Sequence, residues 1–296
     1  MFKTLFFTAA LLLNTSGAGA RVELRWLTGA TVLLEDGKSS ILFDPAFTRP
    51  QWTHWLNLDE FRSDVGLVQE VLEHNKIGKL DGIFSSHSHF DHVVDAPMVS
   101  KLTGAIFYTD KSSEIISRAY KDPTVRTKPF VSGEKIRLGE FTVTPFQREH
   151  SKILHLIPFL PGEVPESFAF GFYDYHVGST WFYLIEHASG KILLDQASEP
   201  YLELLAKVGL TSVDVLIQGI SNRRDDGVVL EGYVKHLKPK LYVPNHFDNF
   251  FQDFNDGAES LLPGIGMEEL LTEMRNRYPQ LNVVVPKYGQ KIELMK

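Results

Sequence analysis

Ser86-His87-Ser88-His89-Phe90-Asp91-His92 is the stretch from which the rest of this 296-residue chain can be read. Four side chains able to ligate a metal, His87, His89, Asp91 and His92, fall within six residues. In an extended run, side chains two apart point the same way, so His87, His89 and Asp91 can converge on one point. His92 breaks that alternation and can serve a second, adjacent metal. Imidazole with carboxylate suits zinc and also admits iron or manganese. Leu80-Asp81-Gly82-Ile83-Phe84 precedes the cluster and Val93-Val94-Asp95-Ala96-Pro97-Met98-Val99 follows it. A surface histidine tract would not be framed in this way. The cluster stands where a buried strand ends and a helix begins, the usual place for a site on an α/β scaffold.

Outward from the cluster, other strand-like runs also end on possible ligands. Ser40–Phe43 is followed by Asp44-Pro45. Alone, Asp44 reads as a turn residue; beside a histidine cluster it can orient the ligand loop from outside. The hairpin Glu134–Leu138 and Phe141–Phe146 runs on to His150. Trp181–Glu186 and Lys191–Leu194 form a second hairpin that ends at Asp195. Leu241–Pro244 leads to His246. His150 alone would read as a satisfied structural histidine; in this company it becomes a candidate third ligand for the first metal.

Val22–Leu27 and Thr31–Glu35 complete the early strands, and Asp36-Gly37-Lys38 is a hairpin signal. Helices are expected over Ser63–His74, Pro97–Leu102, Ser112–Tyr120, Pro200–Val208, Val228–Leu237 and Met267–Tyr278 from apolar spacing, with Ser112 or Ser113 as a cap. Leu281–Pro286 and Lys291–Leu294 read as closing strands. Residues 46–60 and 151–180 read as loops rich in aromatic residues. Pro158, Pro161 and Pro165 forbid a long helix in the second loop, which reads equally as a functional segment or lid and as a segment packed over its own small core. Tyr173, Tyr175 and His176 within it are candidate substrate contacts. Alternating strands and helices fall into two batches, about 21–147 and 181–296. With no repeat or linker between them, residues 21–296 are expected to form a single α/β domain, its halves joined by irregular segment 148–180.

Composition narrows the classes. The chain is 43% hydrophobic and 23% charged, as a globular domain is. A formal charge of −7 argues against a nucleic-acid partner. Met1-Phe2-Lys3, an apolar run from Leu5 to Leu13 and Ala18-Gly19-Ala20 read as a signal peptide over residues 1–20, so a periplasmic or secreted protein is expected. No later apolar run is long enough to span a membrane. There is no cysteine, so metal ligands must be His, Asp or Glu and no disulfide can form.

In order and spacing, Asp44, then His87, His89, Asp91 and His92, then His150, Asp195 and His246 make the chain resemble the metallo-β-lactamase superfamily. The resemblance implies a four-layer αββα sandwich with a dinuclear metal site at one edge of the sheets. Carried over residue by residue, His87, His89 and His150 would hold the first metal. Asp91, His92 and His246 would hold the second, and Asp195 would bridge them. Trp26-Leu27-Thr28-Gly29-Ala30-Thr31-Val32-Leu33-Leu34 and Asp44-Pro45-Ala46-Phe47 look like the subgroup that includes ascorbate-6-phosphate lactonases and N-acylphosphatidylethanolamine phospholipases D. Gln196-Ala197 follows Asp195 where the family often has Thr-Gly.

The expected function is that of a hydrolase in which a metal-bridging hydroxide attacks a lactone, carboxylic ester or phosphodiester. Asp91 orients the hydroxide and moves a proton. The aromatic segments point to a small or lipid-like substrate. Two readings compete: an exported binding module with a closed metal site, and a di-iron redox enzyme.

Overall fold

The computed structural model describes residues 21–152, 159–223, 225–254 and 260–295. The expected signal peptide at 1–20 lies outside the described residues. Two seven-stranded sheets form the centre. The first contains β1 (Val22–Trp26), β2 (Val32–Glu35), β3 (Ser40–Phe43), β4 (Gly82–Phe84), β5 (Phe107–Thr109) and β6 (Thr127–Pro129). The second contains β7 (Ile136–Leu138), β8 (Phe141–Arg148), β9 (Thr180–His187), β10 (Gly190–Asp195), β11 (Val215–Gly219), β12 (Leu241–Asn245) and β13 (Asn282–Val283). The last strand, β14 (Lys291–Met295), returns to pair with β1 at the edge of the first sheet.

Period-two alternation explains the layering. Along β2 and β3, Leu34, Ile41 and Phe43 join Phe141, Val143 and Phe182 of the opposite sheet in one buried cluster. The alternate residues Leu33 and Leu42 turn the other way, onto Val68, Val71, Val99, Ile115 and Ile116 of the helices Val65–His74, Ala96–Thr103 and Lys111–Ala119. On the far side of the second sheet, Leu205, Leu230, Leu237, Leu270 and Met274 supply the fourth layer. The result is an α/β/β/α sandwich of metallo-β-lactamase type.

Both sheets change from antiparallel to parallel partway across. β3, β4, β5 and β6 run parallel in the first, and β10, β11, β12 and β13 in the second. The carboxyl ends of parallel strands lie at one edge, the usual position of sites in such sheets. There the chain leaves β4 for His87, β10 at Asp195 and β12 for His246.

Several expectations are corrected. The chain crosses between sheets in residues 130–135, not across 148–180, because β7 and β8 pair with β9 rather than with the first sheet. The division at 21–147 and 181–296 is therefore displaced. The Lys111–Ala119 helix is capped by Asp110, whose carboxylate accepts from Ser113 N at 2.9 Å, rather than by a serine. Loop 46–60 contains a helical turn at Trp52–Trp55. The Val228–Leu237 helix carries a π segment at Leu230–Val234. Leu281–Pro286 contributes only Asn282–Val283 as strand. Within 159–180, Phe168, Phe170, Phe172 and Tyr175 are buried in the cluster beneath the first sheet's helices.

One close approach ties the fold to the site edge. Gly219 ends β11, and a Cβ there would collide with the backbone carbonyl of Gln196. Backbone cannot rotate away as a side chain can. Gly219→Ala is expected to lower stability by about 1–3 kcal/mol, the usual cost of overpacking. Urea unfolding checks this; an unchanged midpoint would show that β10 and β11 separate freely here.

Candidate metal centre

Two groups of three donors meet at the strand ends among the described residues. His87, His89 and His150 form one; Asp91, His92 and His246 form the other. Within each, the donor atoms lie within 4.8 Å of one another. The groups adjoin: the rings of His87 and His92 are 3.9 Å apart, and those of His92 and His246 4.8 Å. Residues from positions 87 to 246 thus reach one spot.

His87, His92, His150 and His246 are held from behind. Ser86 Oγ lies 3.2 Å from His87 Nδ1 and 3.1 Å from His92 Nδ1. Asp44 accepts from Ser86 N at 2.6 Å and lies 3.3 Å from His92 Nδ1, so it orients both the loop and the ring. His150 Nδ1 donates to Ser151 O at 2.7 Å, leaving Nε2 to face inward. A second partner of this kind fixes ring orientation and tautomer in metal-ligating histidines. His246 adopts a left-handed backbone, φ 55°, which disfavours residues with a side chain. Its N–H donates to Gly29 O at 3.1 Å, and Gly29 N in turn donates to Asp248 at 2.9 Å. Buried Arg49 donates to Thr28 Oγ1 and lies 3.6 Å from Asp248. The Thr28-Gly29 turn is therefore a clamp on the His246 loop, and strain of this kind persists where neighbours over-determine it.

The donor chemistry fits divalent cations. Burial lowers the His87, His89 and His150 pKa values, reinforced by neighbouring histidines; His89 falls to about 3 and His150 to about 4. These imidazoles are neutral and present lone pairs. His87 Nε2 and His89 Nδ1 face each other at 2.9 Å. Burial would raise the Asp91 carboxyl, but His92 and His246 hold it well below the ordinary range. Asp91 Oδ2 lies 3.1 Å from His246 Nε2 and 3.7 Å from His92 Nε2. Burial opposes the charge on His92, but Asp91 and Asp44 raise its pKa, so a cation bound there would take the place of its proton. Imidazoles with an ionised carboxylate are a donor set suited to zinc, with manganese and iron compatible.

Asp195 is held by other partners. Its Oδ2 receives Arg148 and the Tyr233 hydroxyl, and its Oδ1 accepts from Ala197 N at 3.0 Å. Both of its oxygens are thus engaged by the protein, and Asp195 belongs to neither three-donor group, unlike the bridging position that the resemblance implies. Arg148 also donates to Glu149 O and Glu199 O, at 3.0 and 2.8 Å. Burial opposes its charge, but Asp195 and Tyr233 raise its pKa. The pair therefore pins the end of β8, and with it His150, to the end of β10.

The expected substrate contacts are also corrected. Tyr175 is fully buried and donates to Phe61 O at 2.8 Å. Tyr173 donates to Trp55 O at 2.8 Å, and His176 Nδ1 lies 2.9 Å from Glu163 O. None of the three lines the cavity above the donors, because their segment packs into the helical layer. That cavity, about 270 Å³, has a mixed lining. Ser151, Gln196, Ser198, Ser221 and Asn222 are its polar residues; Phe90, Phe159, Phe250, Phe251 and Leu262 are apolar ones. Ser151, Ser221 and Asn222 follow closely on His150 or on β11, a proximity available to sequence reading. Phe250 and Phe251 lie four and five residues after His246, and nothing in their local pattern marks them. No lysine or arginine is among the described lining residues.

Residues 24–130 match a family model described as the metallo-beta-lactamase superfamily. A UPF0173 protein of Pyrococcus furiosus is 23% identical over 229 residues, spanning 77% of this chain and 85% of its own length. A UPF0173 metal-dependent hydrolase of Thermodesulfovibrio yellowstonii is 24% identical over 304 residues, spanning 99% of this chain and all of its own, 100%. The metallo-beta-lactamase fold protein YhfI of Bacillus subtilis superposes with a TM-score of 0.56 at 16% identity, covering 92% of this chain and 99% of that one. These likenesses agree with the layered architecture. Among the described residues, no helix is long and apolar enough to cross a membrane.

Proposed function

We propose that this chain is a metal-dependent hydrolase of the metallo-β-lactamase superfamily and that it cleaves an ester-type bond at a pair of divalent cations, zinc by donor chemistry. The observation that carries this reading is the pair of three-donor groups lining a cavity that also holds polar and aromatic side chains. Among ester-type bonds, a carboxylic ester or lactone fits better than a phosphodiester, since the described lining offers no cationic side chain to a phosphate. The likeness of the amino-terminal segments to lactonases and lipid-cleaving phospholipases agrees with a lactone or lipid-like substrate.

Divalent cations held there supply Lewis acidity and a water acidified to near neutrality. The remaining work belongs to the chain. Asp91, kept ionised by His92 and His246, accepts a hydrogen bond from the attacking water and passes its proton to the leaving oxygen. His87, His89 and His150 supply neutral nitrogens. Ser151, Ser221 and Asn222 offer hydrogen bonds to the polar part of the substrate. Phe159, Phe250 and Phe251 exclude water from the reacting bond.

A panel of lactone, carboxylic ester, phosphodiester and β-lactam substrates, with and without chelator, tests the proposal. Turnover of an ester or lactone that chelator abolishes and zinc restores is expected. Chelator-resistant turnover, or turnover of the β-lactam alone, would contradict it.

A further inference from the structure

We propose that the substrate carries a single apolar tail that leaves the metal cavity along a file of aromatic rings, Phe250, Phe251 and Trp55, so that the preferred ester is that of a long-chain acyl or alkyl group. This deepens the reading above and rests on it. The file starts at a candidate metal ligand: the rings of His246 and Phe250 are 4.9 Å apart, those of Phe250 and Phe251 4.5 Å, and those of Phe251 and Trp55 5.4 Å. It ends at the surface, where the helical turn bearing Trp55 also presents Trp52 at 68% exposure and Leu56 at 63%.

Single exposed apolar residues need no explanation. A contiguous apolar strip that runs without a break into a cavity is different, since large exposed patches of this kind mark binding surfaces. Phe251 is the telling residue. It packs against Phe90, Phe250 and Trp55, yet 41% of its surface stays open. A ring that served only to seal the core would be covered. Trp55 is fixed from the opposite side, by Phe172 at 4.7 Å and by the Tyr173 hydroxyl on its carbonyl. The strip is thus preformed, and binding does not have to order it. Within the cavity Ser151, Ser221 and Asn222 offer hydrogen bonds near the donors, while Phe250 and Phe251 connect it to Trp55. A file one ring wide suits one chain.

Calorimetric titration of zinc-loaded protein with alkylphosphonates, from methyl to dodecyl, tests the inference without turnover. Affinity is expected to rise roughly fourfold for each methylene added over the first several, as for burial of a CH₂, and then to level off. Phe251→Ala is expected to cut the ratio of dodecyl to methyl affinity by about tenfold or more. Phe251 is partly exposed, and the wild-type slope needs no variant at all. An affinity indifferent to chain length overturns the inference, as does an unchanged ratio in Phe251→Ala. The two proposals fail separately. Steep chain dependence without cleavage of any ester removes the hydrolytic reading and keeps the tail subsite. Cleavage indifferent to chain length does the reverse.

Discussion

Asp91→Asn is expected to lower turnover roughly 10²–10⁴-fold, the usual contribution of a positioned acid–base group. The effect should appear in kcat, with the protein folded and metal-loaded. Asn keeps the shape and one acceptor oxygen, but it cannot take a proton or carry charge. His92 and His246 bring two nitrogens toward the Asp91 carboxylate, and their cost in burial is offset by its ionisation. Removing that charge leaves His92 with Asp44 alone as a carboxylate neighbour, so some loss of metal from the second group is also expected. The measurement is therefore made at matched metal content, by elemental analysis of the same samples. Wild-type turnover in fully loaded Asp91→Asn would show that this carboxylate only ligates and moves no proton.

Asp195→Asn is expected to damage stability far more than metal binding. Arg148 and Asp195 form an ion pair with almost no exposure to solvent. Removing one partner of a buried pair leaves an uncompensated charge and costs about 3–5 kcal/mol. Unfolding by urea should therefore shift to much lower denaturant. Metal content per folded chain should stay near the wild-type value, since both Asp195 oxygens are engaged by Arg148, Tyr233 and Ala197 and neither donor group includes it. The double variant Arg148→Met with Asp195→Leu separates fold from site. It removes both charges together and is expected to recover part of the lost stability. Loss of one metal in Asp195→Asn at unchanged stability would reinstate the bridging role that the superfamily resemblance implies.

These two residues also mark where sequence reading succeeds and where it stops. Strands that end on His87, His150 and His246 could be read because local apolar alternation and a terminal polar residue are both visible along the chain. The edge location followed, since parallel strands send their carboxyl ends to one side. Asp195 has the same local pattern, an apolar strand delivering a carboxylate. Its partner Arg148 lies 47 residues away and Tyr233 another 38, and neither separation leaves a local trace. Tyr175 failed for a related reason. A crowd of aromatic residues between prolines has the composition of a pocket wall and of a small core alike, and only packing against the helices distinguishes them. The short strand Thr127–Pro129 escaped notice because its largely exposed Thr-Lys-Pro carries no apolar residue of the strand-forming kind. The clamp on His246 required seeing Thr28 and Asp248, at opposite ends of the chain, as neighbours.

The claim on which the account rests is that two adjacent donor groups each hold a divalent cation. Elemental analysis of the purified protein, equilibrated with zinc and freed of excess metal, measures it directly. The account predicts two equivalents per chain, falling to about one in His150→Ala and in His246→Ala. A wild-type value of zero, or a value that neither substitution changes, would contradict it.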